Sequence, residues 1–251
     1  MKHQTVKIFS SVEHLSNCFA CLLKEKNFCL PEGDNFNIAV SGGSTPAKIF
    51  KFIKDNFADK INWNKINIFF GDERCVPPED DDSNFKMVNE NLLKYVSIPK
   101  ENIFRIFGEE DPGKEVERYS EIIKRNIPLK NNTPQFDLIM LGLGEDGHTA
   151  SIFPDQISLF HSTNNCEVAV HPITGQKRIT LTGKIINNAK VVVFIATGEN
   201  KTRIVYEIIG GNSPDKIYPA SLVEPSDLIW MLDTPAVQLL DSEIKKLWYV
   251  K

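Results

Sequence analysis

The sequence predicts a doubly wound α/β layer, a mainly parallel sheet with helices on both faces, in a single domain of residues 1–251. Apolar runs of strand length alternate with amphipathic stretches of helix length along the chain. Several runs are apolar at consecutive positions and not at every second one, the pattern of strands covered on both faces. No Pro/Gly/Ser-rich stretch is long enough to separate domains, and no segment repeats.

The elements follow in order. Residues 5–9 read as a strand and 12–26 as a helix. Residues 36–40 form a second strand, then a Ser/Gly turn and a helix over 46–57, with Pro46 suited to the first helical position. Residues 66–70 are a third strand, followed by an acidic loop. Ser83 is a plausible N-cap for a helix over 83–95. Residues 112–127 form a helix broken by Pro128. Residues 136–141 are a strand entering a Gly-rich turn, and 167–171 and 178–181 are short strands. Residues 191–197 are the most β-branched strand, with a helix near 200–209. Residues 227–232 read as the last central strand.

Composition narrows the function. The chain has 29 Lys+Arg against 33 Asp+Glu, a formal charge of −4. No global basic field exists to attract nucleic acid or an anionic membrane, although a local site can still take an anionic small molecule. The first residues, MKHQTVKIFSSVEHL, lack the apolar core and small-residue cleavage site of a signal peptide. Runs such as 191–196 are far short of a membrane span. Five cysteines, an odd number in a chain with an ample core, point to reduced thiols in a cytosol-like compartment. His14, Cys18 and Cys21, with Cys29 nearby, lack the paired spacing of a zinc ribbon and read as helix packing.

Ligands of such sheets sit outside the carboxyl ends of the strands. Four loops lie there. The first holds Ser41, Gly42, Gly43, Ser44 and Thr45 before Pro46, a strand–helix turn whose free N–H groups can cradle an anion. It lacks the Gly-Lys-Ser/Thr of a Walker loop, and an ordinary capped turn is the plainer alternative. The second holds Asp72, Glu73 and Arg74. The Arg can grip an anion or a developing oxyanion, and the Asp can orient sugar hydroxyls. The plainer alternative is a solvated turn whose Arg pairs with Glu79–Asp82. The third, residues 142–154, contains a formal G-x-G-x-x-G. Glu145 and Asp146 would face a pyrophosphate, and Pro154 cuts short the helix a dinucleotide needs, so that reading is set aside. It leaves His148, a general base suited to neutral pH, with Asp146 two residues away to orient it. The fourth places Lys201 at a strand–helix junction. With Arg178 it offers cations for a phosphate, against the plainer alternative of surface charges.

Five motifs together identify a resemblance. SGGSTP at 41–46, GDERCVP at 71–77 with Ser83 and Asn84, GLGEDGHTASIFP at 142–154, RITLT at 178–182 and TGENK at 197–201 are similar to those of the 6-phosphogluconolactonase family. That family lies in a larger group with the glucosamine-6-phosphate deaminases. Order and spacing cover nearly the whole chain, and the third motif is the most specific. The resemblance implies a Rossmann-like fold and hydrolysis of 6-phospho-D-glucono-1,5-lactone to 6-phosphogluconate. This is the second step of the oxidative pentose phosphate pathway, coupled to glucose-6-phosphate dehydrogenase and cytoplasmic. It implies His148 as general base, and Ser41, Gly42, Gly43, Ser44, Thr45, Arg178 and Lys201 as phosphate contacts. Asp72 and Arg74 fall near the lactone. A lactone is already reactive, so neither a metal nor an organic cofactor is expected. Deaminases of the group carry a Glu where this chain has Phe153, which favours the lactonase over an aldose–ketose isomerase. A non-catalytic sugar-phosphate sensor is the remaining alternative.

Overall fold

The computed structural model describes residues 3–31, 33–211, 217–242, 245, 248 and 250. The strands are β1 (His3–Phe9), β2 (Phe36–Val40), β3 (Ile66–Phe70), β4 (Asp72–Arg74), β5 (Ile103–Phe104), β6 (Leu129–Lys130), β7 (Thr133–Pro134), β8 (Leu138–Gly142), β9 (Cys166–Val170), β10 (Lys177–Leu181), β11 (Val191–Ala196) and β12 (Asp227–Asp233). The α-helices are α1 (Val12–Phe28), α2 (Ser44–Phe57), α3 (Asn84–Asn91), α4 (Pro112–Asn126), α5 (Gly183–Asn188) and α6 (Thr202–Ile208).

Seven strands form one sheet in the order β1-β12-β11-β8-β2-β3-β5. Every pair in it is parallel, with Ile38 opposite Leu138 at the β2–β8 junction and Phe194 opposite Trp230 between β11 and β12. Successive strand residues face opposite sides. β2, β3 and β11 are buried at every position, so both faces of the sheet are covered, as their unbroken apolar runs predict.

The helices explain themselves locally. Ser11 caps α1 by accepting from the His14 N–H, and Leu15, Phe19 and Leu23 recur at one-turn spacing on its buried face. Ser83 caps α3 as expected, accepting from Lys86 N–H at 3.1 Å. Asp111 caps α4, with Pro112 at its first position. Helix α2 differs from expectation by starting at Ser44, which places Pro46 third. The first turn has no intrahelical N–H partners to lose, so proline is tolerated there too.

Two expectations are corrected. The stretch 83–95 is not one helix: α3 ends at Asn91 and a 3-10 turn covers Leu93–Tyr95. Residues 72–74, read as part of a loop, are strand β4. They pair antiparallel with β10, which pairs antiparallel with β9, making a second sheet of three strands. A three-residue strand has no periodicity to detect, and its partner lies a hundred residues away in the chain.

In the main sheet the chain runs outward from β2 through β3 to β5, then returns to β8 on the other side of β2. The β2–β8 junction is therefore the topological switch point, where a doubly wound sheet opens a crevice at its carboxyl ends. The second sheet adds a wall there, because β4 follows β3 directly.

Candidate active site

A cavity of about 200 Å³ opens at that crevice. Ser41, Gly42 and Gly43 line it from the end of β2, and Gly142, Leu143, Gly144, His148 and Ala150 from the loop after β8. Asp72 and Arg74 of β4, Asn84 of α3, Arg178 of β10 and Lys201 before α6 complete the wall. Residues from all four loops singled out in the sequence thus meet at one place.

The loop after β8 is closed on itself. Gly144 N–H donates to His148 O at 2.8 Å, and the Thr149 hydroxyl donates to Gly142 O at 2.9 Å. A side chain at Gly144 would place a carbon 2.1 Å from His148 Nδ1, so glycine is what lets the imidazole lie against the turn. Asp146 does not line the cavity but sits behind the ring. Its Oδ1 is 2.6 Å from His148 Nδ1 and also accepts the His148 backbone N–H at 3.1 Å. A carboxylate only accepts, so Nδ1 carries the proton and the Nε2 lone pair is left basic. Burial raises the Asp146 carboxyl, but the hydrogen bonds from His148 outweigh it and hold the group below the usual carboxylate range. The imidazole packs on Phe153, 4.8 Å between centroids. Phe153 is 1 % exposed and also touches the ring of His171 at 5.2 Å and the Arg178 guanidinium at 5.5 Å.

The acidic segment after β3 is not the solvated turn of the plainer alternative. Asp72 is 5 % and Glu73 2 % exposed. Asp72 Oδ2 accepts from the Ser151 hydroxyl at 2.6 Å, and Oδ1 from Asn84 Nδ2 at 3.3 Å. Glu73 points away from the cavity. It accepts the N–H groups of Arg74, Asn84 and Phe85 and the Ser83 hydroxyl, so it anchors the start of α3. Burial pushes its carboxyl up, and the backbone donors pull it back part of the way. Arg74 does reach the 79–82 loop, but through the main-chain oxygen of Asp82.

Positive charge is concentrated here. Arg74 and Arg178 are direct cross-strand partners. Like charges opposite one another destabilise a sheet unless counter-charge intervenes. Burial lowers the Arg178 guanidinium from its ordinary value; Asp72 opposes this and Arg74 adds to it. Burial likewise lowers Lys201, against Glu145 and Asp146. Among the described residues six buried side-chain polar atoms lack a hydrogen-bond partner, and three of them, Arg74 Nε, Arg178 Nε and Asn84 Oδ1, belong to this wall. Each such atom costs about 1–3 kcal/mol when left unpaired. Two are donors and one an acceptor, so a polar ligand that both accepts and donates hydrogen bonds would complete this wall.

Two residues of the first loop lie outside the cavity wall. Ser44 and Thr45 do not line the cavity. They are the first two residues of α2, and the Thr45 hydroxyl shares a 2.6 Å hydrogen bond with that of Thr197, tying α2 to the end of β11. The part of this turn that reaches the wall is Ser41, Gly42 and Gly43. Sequence reasoning did not single out Ser151, fully buried between Asp72 and Arg178, although it lies within the third motif. Nor did it place His171, which has no motif around it.

The model of the family described as glucosamine-6-phosphate isomerases/6-phosphogluconolactonase matches residues 11–230. The chain is 42 % identical over 207 residues to a 6-phosphogluconolactonase of Haemophilus influenzae, covering 81 % of this chain and 87 % of that protein. It is 44 % identical over 164 residues to one of Treponema pallidum, covering 65 % and 68 %. The solved structure of 6-phosphogluconolactonase from Trypanosoma brucei superposes with a TM-score of 0.82 at 26 % identity, over 96 % of this chain and all of that one. A family model that matches most of the chain, with relatives at this identity, makes the chain a member of the glucosamine-6-phosphate isomerase/6-phosphogluconolactonase family.

Proposed function

We propose that the protein is a 6-phosphogluconolactonase: it hydrolyses 6-phospho-D-glucono-1,5-lactone to 6-phospho-D-gluconate. The observation that carries this reading is the His148–Asp146 pair, which leaves Nε2 basic on the wall of a cationic cavity. His148 Nε2 takes a proton from water, and the oxygen of that water bonds to the lactone carbonyl carbon. The carbonyl electrons move to its oxygen, and Arg74 stabilises that charge. One well-placed donor is worth about 3 kcal/mol at comparable acyl-transfer sites. The tetrahedral species collapses, the bond from the carbonyl carbon to the ring oxygen breaks, and His148 returns its proton to that oxygen. Lys201, Arg178 and the Ser41–Gly42–Gly43 turn hold the phosphate, whose binding orients the distant reacting carbon.

Phe153 weighs against the isomerase branch of the family. A buried phenyl ring stands beside His148 and cannot relay a proton. The lactone is the product of glucose-6-phosphate dehydrogenase, so the two enzymes act in sequence. We place the reaction in the cytoplasm, consistent with five free cysteines; no helix among the described residues is long and apolar enough to cross a membrane.

The test is a coupled assay of lactone hydrolysis at a pH where spontaneous opening is slow. His148→Ala should fold normally and lose about 10²–10⁴-fold in enzymatic rate. Turnover near that of the unaltered protein would sink the assignment.

A further inference from the structure

Asn84 plays no part in the hydrolysis described above, yet its side chain is tightly constrained. Its backbone N–H donates to Glu73 Oε1 at 2.7 Å, which seats it as the first residue of α3. Its side-chain NH₂ donates to Asp72 twice, to the main-chain oxygen at 2.9 Å and to Oδ1 at 3.3 Å. Both are acceptors, so turning the amide over would lose both bonds and set oxygen against oxygen. Oδ1 is thereby forced to the other side, against Gly42. A side chain at Gly42 would place a carbon 1.8 Å from it, so glycine is what lets that oxygen lie against the turn. Asn84 is 2 % exposed, and Oδ1 has no hydrogen-bond partner. Gly42 and Asn84 both line the cavity.

An amide oxygen accepts hydrogen bonds and donates none. Phosphate and carboxylate oxygens offer it no proton, so the charged part of a ligand gains nothing from this part of the wall. A hydroxyl does, and the neighbouring Asp72 carboxylate has the same preference. Resting on the phospholactone reading, which supplies ring hydroxyls at C2, C3 and C4, we propose that Asn84 is a specificity-determining residue whose Oδ1 accepts one of those hydroxyl hydrogens. The protein then selects polyhydroxylated phospholactones because a deoxy analogue leaves a buried carbonyl unpaired.

The experiment measures kcat/KM for the parent lactone and its 2-, 3- and 4-deoxy analogues. The proteins compared are the unaltered chain, Asn84→Ala and Ser151→Ala. The unaltered chain should disfavour one analogue by about 10²-fold or more. Asn84→Ala should shrink that one ratio at least about tenfold and leave the other two in place. Ser151→Ala loosens the opposite oxygen of Asp72 without touching Asn84 and should leave the ratio standing. Asn84→Ser replaces Asn84→Ala if the latter does not fold. Three results overturn the assignment: no analogue is disfavoured, the ratio survives loss of Asn84, or Ser151→Ala collapses it equally, which moves the reading group to Asp72. A protein that does not hydrolyse the parent lactone at all sinks the phospholactone reading, and the Asn84 assignment falls with it.

Discussion

Asp146 selects the basic nitrogen of His148, which the spacing of two residues could only hint at. Asp146→Asn presents an amide that can hold the ring in the wrong tautomer, and kcat should fall about 10²–10⁴-fold with KM little changed. The same pair has a pH signature. The Asp146 carboxyl is lowered in the fold, so the stabilisation it draws from His148 is complete above the ordinary carboxylate range. It is lost as pH falls through the lowered folded value. The difference in urea midpoint between the unaltered protein and Asp146→Asn should therefore close as pH falls below the ordinary carboxylate range, as read by fluorescence. Lys201 and Arg178 are half-buried cations assigned to a group remote from the chemistry. Lys201→Ala and Arg178→Ala should chiefly raise KM in the coupled assay, and a loss confined to kcat would contradict the phosphate role.

At the scale of single elements, the turn after β8 works as one rigid piece. Gly144→Ala would drive a methyl into the His148 ring, and the imidazole must move. Displacement of a reacting group by an ångström costs about 10²-fold, so kcat/KM should fall by at least that much with far-UV circular dichroism unchanged. Helices with a capping residue and a one-turn apolar stripe are legible in the sequence: Ser83 in front of α3, and Pro112 opening α4. The elements misread are those without an internal period. β4 exists because β10 pairs with it, and the helix expected over 83–95 stops at Asn91 because Leu92 leaves helical geometry, with φ −144°. The bond between the Thr45 and Thr197 hydroxyls is hidden for a related reason: the two residues are distant in sequence and adjacent only in the fold.

For the molecule as a whole, the sheet is the support on which the loops converge. Phe194 and Trp230 stack across neighbouring central strands at 4.1 Å and 8°. Trp230→Ala should cost about 3–5 kcal/mol in urea unfolding. Trp230→Phe should cost less, because it also removes an indole N–H that has no partner. The parallel sheet, the helices on both its faces and the four loops at its carboxyl ends could all be read from residue types, because hydrophobic periodicity and turn chemistry are local properties. The pairing of Arg74 with Arg178, the burial of Glu73, the clamp of Asn84 and Ser151 on Asp72 and the choice of Nε2 could not. Each depends on which distant segments share a wall, and that is settled when the sheet closes its core and the chain ends its strands around one crevice.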